Sequence, residues 1–284
     1  MKNKQINGLM ILSSLLLVGC GNTNETNSIS SENDNIISSS SSQAELSSSS
    51  NTSSIISIEL EEFDRYEYFP LSDGTLAIGV GQNKYLEKLT IPQMHNGKII
   101  TKIAGHGFSK CTLLKEIKIP NSIIEIFEYS FINCTSLTSI IIPSSVTTIG
   151  MGAFSNCTSL TNIIIPNTVT TIGSSAFNSC TSLTNVTISN NITTIGDWTF
   201  SNCTSLTSII IPNSVTTIGC SVFSNCTSLT SIMIPNSVTT IEERAFYNCT
   251  KLSIIYCEAE SQPNGWHPNW LSCNAKVEWG AKNE

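Results

Sequence analysis

The sequence predicts a mainly β repeat solenoid, a right-handed array of 23-residue coils closed by a cap at each end. Three observations point to it. Cysteines recur at positions 111, 134, 157, 180, 203, 226 and 249, each 23 residues after the last, and self-similarity at one fixed period is the mark of coils stacked on one another. Every period carries a Leu-x-x-Ile-x-Ile run such as Leu137, Ile140 and Ile142, whose last two apolar side chains fall on one face of a strand. Charged residues make up only 12% of the chain, and Asp197 is the single one between Cys134 and Ile241, so the repeated text is almost wholly uncharged.

Residues 1–19 read as a secretion signal, with Lys2 and Lys4 ahead of an apolar stretch from Leu9 to Val18 that is shorter than the roughly 20 residues a bilayer core requires. Leu17-Val18-Gly19-Cys20 resembles a bacterial lipobox, which implies that Cys20 becomes the acylated mature terminus, carrying diacylglycerol and chains such as palmitate. Residues 20–55 form a tether: 21–55 hold 14 serines and no aromatic residue, too little apolar surface to offset chain entropy. Residues 56–110 are expected to be an amino-terminal cap and an irregular first coil, 111–256 the solenoid, and 257–284 the carboxy-terminal cap.

Within each coil Pro143 and its equivalents end the first strand, and Val146 and Ile149 lie in a second extended segment. Gly150 is expected to close that segment at positive φ. Ala153-Phe154 and the residues up to Cys157 are expected to return as one helical or 3-10 turn. Equivalent residues then stack into interior columns, of phenylalanine from Phe131 to Phe246 and of leucine from Leu137 to Leu229, in an array of roughly eight coils. Ser72-Asp73-Gly74-Thr75 predicts a hairpin turn near the start, and Trp266, Trp270 and Trp279 are expected to cover the far apolar end rather than to stack on sugars.

The column cysteines are expected to be buried free thiols, since neighbours in a ladder point in parallel. Cys257 should point inward, with a bridge to Cys273 left open, and Cys220 should be exposed. Asn-Cys-Thr, as at Asn156, matches a glycosylation sequon but is read as accidental in a packed turn. No cysteine and histidine spacing fits a metal site; His95 and His106 read as a solvated pair. No cofactor is expected.

Composition limits the function. A net charge of −7 argues against a nucleic-acid partner. With one titratable carboxylate in 108 central residues, the array cannot assemble the paired groups of acid–base catalysis, so the protein is not expected to be an enzyme. The repeat text Leu-Thr-Ser-Ile-x-Ile-Pro-x-Ser-Val-Thr-x-Ile-Gly-x-x-Ala-Phe-x-x-Cys resembles the BspA-like leucine-rich-repeat family of bacterial surface proteins. The likeness runs from about Phe63 to Trp279, taking in Phe63-Asp64-Arg65-Tyr66 and Tyr256-Cys257-Glu258-Ala259. It implies a surface protein that adheres to host, matrix or microbial proteins, without naming a ligand, and contact with the membrane only through the amino-terminal lipid.

Position by position, one row of each coil's strand must face outward: Lys118, Ile141, Ile164, Thr187, Ile210, Met233 and Tyr256. A contiguous apolar row with a polar border marks an interaction face, here bordered by threonines from Thr138 to Thr230. Ile141, Ile164, Thr187, Ile210, Met233 and Tyr256 are therefore the candidate protein-binding residues. The alternatives are a structural surface spacer with no ligand and a carbohydrate-binding surface protein.

Overall fold

The computed structural model describes residues 65–282; the leader, Cys20 and the tether lie outside the described residues. The described residues wind about nine turns of roughly 23 residues with almost no helix among them, one turn more than the repeat text indicates. The extra turn comes from the hairpin. Glu67–Pro70 pairs antiparallel with Leu76–Gly79, which in turn pairs parallel with Lys98–Ile103 and so forms the first rung of the stack. At its tip Gly74 has φ +86°. There the Asp73 carboxylate accepts from the Thr75 hydroxyl (2.6 Å) and amide (3.0 Å), contacts that hold its pKa below the usual value.

Two parallel ladders run the length of the stack. The second is the more continuous: Lys98–Ile103, Glu125–Ile126, Thr148–Ile149 and Thr171–Ile172 pair in sequence, as do Thr194–Ile195, Thr217–Ile218 and Thr240–Ile241. The first ladder is broken into three groups, Lys88–Thr90 with Glu116–Lys118, Asn162–Ile164 with Asn185–Thr187, and Ser231–Ile234 with Ile254–Cys257 and Lys276–Trp279. The Leu-x-x-Ile-x-Ile run does not make a strand in every coil: residues 139–142 form none, and Ile210 makes a lone bridge to Met233.

The third side of each coil is not the helical turn expected. The amides of Gly152, Phe154 and Asn156 donate to the carbonyls of Ser174, Ala176 and Asn178 on the next coil (2.9, 2.8 and 2.8 Å), while those of Ala153, Ser155 and Cys157 donate three residues back (3.3, 3.0 and 3.2 Å). Alternate amides thus serve two coils, which satisfies a buried backbone without the successive bonds of a helix. The residues that break helical progression sit at positive φ: Gly152 (58°) and Asn156 (58°), with Trp198 (54°) and Asn202 (60°) at the same places two coils on. The asparagines of the Asn-Cys-Thr sequons fill the second of these positions, a conformation asparagine tolerates. Gly150 is not among the positive-φ residues. It is glycine because the coils approach closely there: a Cβ would lie 2.5 Å from the Glu128 amide nitrogen.

Inside, Phe108, Phe131, Phe154, Phe177, Phe200, Phe223 and Phe246 stack face to face with centroids 5.2–5.9 Å apart. Each end of the column is stopped by a ring that is not parallel, Tyr66 tilted at 57° on Phe108 and Trp270 edge-on at 80° to Phe246. Trp266 and Trp270 are buried, and the Trp266 indole donates to the Val238 carbonyl (3.1 Å); they cover the end of the core and offer no open platform to a sugar.

The column cysteines are free and buried, and they are more than small apolar residues. From Cys134 to Cys249 each thiol reaches back to a phenylalanine carbonyl, Cys157 to Phe131 (3.2 Å) and Cys180 to Phe154 (3.2 Å), so each of these coils hangs a second donor on a carbonyl of the coil before. Burial pushes the Cys180 thiol up to about 12. Cys257 and Cys273 are also free; Cys257 points inward as expected, and Cys273 lines a cleft with Cys249 instead. Cys220, expected outside, is buried, its short side chain staying close to the backbone with the sulfur 3.6 Å from the Ser221 hydroxyl, whereas the longer Glu128 and Met151 in the same slot reach solvent. His95 and His106 do not pair: His95 stacks on Tyr68 (3.7 Å, 9°) and His106 on Tyr129 (5.0 Å, 22°).

Candidate functional site

The first ladder positions the candidate residues. Its strand residues alternate between core and solvent, so Ile163 and Ile165 are buried while Ile164 between them is 67% exposed. Ile141 and Ile210 are exposed at 83% and 82%, high values for side chains whose removal from water is favourable by about 2 kcal/mol each. Parallel pairing brings like residues side by side: Ile164 is opposite Thr187, Ile210 opposite Met233, and Met233 opposite Tyr256. Thr187 and Lys118 are exposed; Met233 and Tyr256 are half-buried, so the row is most open over its isoleucines and closes toward the carboxy-terminal cap.

The border is polar and its hydroxyls are in use. Thr161 donates to the Thr138 carbonyl (3.3 Å), Thr184 to Thr161 (3.1 Å) and Ser253 to Thr230 (3.2 Å), each bond joining residues one coil apart. Asn185 donates through its amide to the Asn162 side-chain oxygen (2.8 Å). Such bonds fix the border, leaving the isoleucines as the groups whose contacts with water a partner would replace.

The row continues one coil past the position where the repeat text ends it. Tyr256 is opposite Glu278, and Ile254 opposite Lys276. The step from Tyr256 to Glu278 is 22 residues and the cap lacks the repeat text, but the alternation Lys276-Val277-Glu278-Trp279 is a legible strand pattern, with burial exposed, half-buried, exposed, half-buried. Where the first ladder is broken, Glu116, Ile117, Lys118, Ser139, Ile140 and Ile141 line an open cleft of about 260 Å³, a feature the uniform repeat text does not signal.

Chemistry is sparse on this face. Among the described residues no group of three or more His, Cys, Asp or Glu side chains could hold a metal ion. Burial raises the Cys249 and Cys257 thiols to about 12, so at neutral pH they are neither nucleophiles nor ligands. Cys20 lies outside the described residues. Among the described residues no helix is long and apolar enough to cross a membrane.

A model of the BspA type leucine-rich repeat region matches residues 80–207 and 170–263, in six copies. Of solved structures, a leucine-rich repeat protein from Bacteroides ovatus is similar over 77% of this chain and 70% of its own, at 25% identity and a TM-score of 0.55. The T. pallidum leucine-rich repeat protein is similar over 58% of this chain and 88% of its own, at 26% identity and a TM-score of 0.51. No curated protein matches the chain.

Proposed function

The chain belongs to the BspA-type leucine-rich repeat family, and from that premise we propose that it is a lipid-anchored bacterial surface protein whose apolar row docks protein ligands. The family's fold generally serves recognition rather than catalysis. The observation that carries the reading is the row itself: Ile141, Ile164 and Ile210 stand more than 65% exposed on a face whose charges between Lys118 and Lys276 are confined to its margins, at Lys251 and Glu258. A row of aliphatic side chains held at strand spacing, with its polar border bonded internally, suits a protein surface better than a sugar or an ion. Cys20 supplies the anchor in this reading.

Two experiments test it. Replacing Ile164 and Ile210 by threonine imitates the natural Thr187 and keeps strand propensity. Attachment to a protein ligand found by screening matrix and cell-surface proteins should weaken about thirtyfold or more, with melting unchanged; unchanged attachment rejects the row as the docking face. Cys20→Ala should move the protein out of the membrane fraction or leave it unprocessed, and a fully processed variant that stays with membranes rejects the anchor.

A further inference from the structure

The docking face has a charge pattern at its ends that selects a partner. Two columns run along it. In the outward row the end charges are Lys118 on one side and Glu278 on the other, with Ile141, Ile164, Thr187, Ile210, Met233 and Tyr256 between them. In the neighbouring column the order is reversed: Glu116, which pairs with Lys88 one rung further out (3.2 Å), stands at the first end of the uncharged run and Lys276 at the second, and the residues between are Ser139, Asn162, Asn185, Ser208, Ser231 and Ile254. Each uncharged run is thus flanked by a cation on one side and an anion on the other, in opposite order in the two columns, with Lys88 lying outside Glu116 beyond the run.

We propose that the partner on this face is a second copy of the chain, packed face to face about a two-fold axis parallel to the strands; this rests on the apolar row being a docking face. Such an axis reverses the order of the coils and keeps each column against itself. Centred between Thr187 and Ile210, it sets Lys118 opposite the other copy's Glu278 and Glu116 opposite its Lys276, each pairing occurring twice. The same operation sets Ile164 on Met233 and Ile141 on Tyr256, so the exposed aliphatics of one copy meet the half-buried side chains of the other. An axis along the solenoid would instead lay the isoleucines on the serine and asparagine column if centred between the two columns, and would set Lys118 against the other copy's Lys118 if centred on the outward row. A shift of one coil would leave Lys118 facing Tyr256 and Glu278 facing Thr90. Only one arrangement satisfies apolar and charged groups together, as an isologous interface requires.

The size is adequate for reversible pairing. Eight rungs at about 4.8 Å give a face about 34 Å long, and with a width of roughly 20 Å each copy would bury about 700 Å², near the lower edge of specific interfaces. Lys118 makes no ion pair among the described residues, and Glu278 has only a 3.9 Å contact to Lys276, so both are available. The two residue-65 ends come to lie at opposite ends of the pair, the arrangement expected of copies held on facing cell surfaces.

The test is sedimentation equilibrium of the full chain carrying Cys20→Ala, alone and with Lys118→Glu or Glu278→Lys added. The parent should form dimers at micromolar concentration. Each single charge variant places like charges opposite one another twice and should dimerise at least about tenfold more weakly. Mixing the two variants should restore dimers, because in the mixed pair the two substituted positions face each other with opposite charges, as do the two unsubstituted ones. A parent that stays monomeric, or a dimer indifferent to both charge variants, overturns self-pairing. In that event the Ile164 and Ile210 variant decides the wider reading: weaker attachment to a foreign protein leaves the docking face standing, and unchanged attachment removes it as well.

Discussion

The coils before Cys134 and those after it build the same ladders with different side chains. In the early coils, neighbouring strands are joined by ion pairs: Lys88 to Glu116 (3.2 Å), Lys115 to Glu87 (2.9 Å) and Lys102 to Glu125 (2.8 Å), the Lys102 ammonium also lying 4.9 Å from the Phe127 ring centre. In the later coils the corresponding job falls to threonine hydroxyls. Thr170 donates to the Thr147 carbonyl (3.5 Å) and Thr216 to Thr193 (3.2 Å), beside the border bonds already described. An ion pair on an exposed ladder is screened by salt and worth little, whereas a hydroxyl bonded to the previous coil's backbone can be repeated indefinitely without accumulating charge. The difference explains how 108 residues with one carboxylate stay in register, and why the charges that remain lie at the ends of the docking face, where they can orient a partner.

Perturbations that act on the shared interior should be largest and should not distinguish the two regions. The most general is alkali. Burial raises the Cys180 and Cys257 thiols from the ordinary 9.0 to about 12, so the folded state holds their protons more tightly than the unfolded one. Their contribution is fully present below pH 9 and is lost as pH rises toward 12. Thermal melting should therefore fall steeply over that window, and Cys180→Ala should blunt the fall. Next is Phe177→Ala, which opens the middle of the ring column and should cost about 3–5 kcal/mol, read by denaturant titration; a cost near that of the exposed Thr171→Ala would mean the column is not the core.

Smaller perturbations should separate positions that the repeat text makes alike. Gly150→Ala drives a Cβ to 2.5 Å from the Glu128 amide nitrogen, whereas the one added at Gly196 meets the Ser174 hydroxyl at 3.3 Å. The first should cost about 1–3 kcal/mol and the second clearly less, as compared by melting temperature. Lys115→Ala, breaking an exposed ion pair, should cost less than about 1 kcal/mol and lose its effect in molar salt, while Thr216→Val should cost about 1 kcal/mol at any ionic strength.

Much of this architecture is legible in the 23-residue period, because a column needs only that like residues recur at like places. Phe154 over Phe177 and Leu137 over Leu160 follow from spacing alone, and so does the outward set of Ile141, Ile164 and Ile210. Backbone geometry is less accessible. Gly150 and Gly152 are equally glycine in sequence, yet the first is crowded by the backbone of the neighbouring coil, while the second meets only the Tyr129 ring and has a positive φ that Trp198 shares two coils on, and only the stacked structure tells them apart. Leu76–Gly79 joins the stack without sharing the repeat text, since a strand is recruited by an open ladder edge and needs no matching side chains. Glu278 escapes because the cap shortens the last step by one residue, which hides the continuation of the docking row from a search at fixed period.

The most direct test of the docking face uses two neighbouring isoleucines, Ile210 (82% exposed) and Ile211 (4% exposed), each changed to threonine. Stability and attachment are measured on both variants, attachment being either self-association or binding to the screened ligand. Ile210→Thr should melt as the parent does and attach weakly, while Ile211→Thr should lose about 2–3 kcal/mol of stability and, where still folded, attach normally. Equal losses of stability in the two, or attachment untouched by Ile210→Thr, would contradict the assignment of the outward row as the docking face.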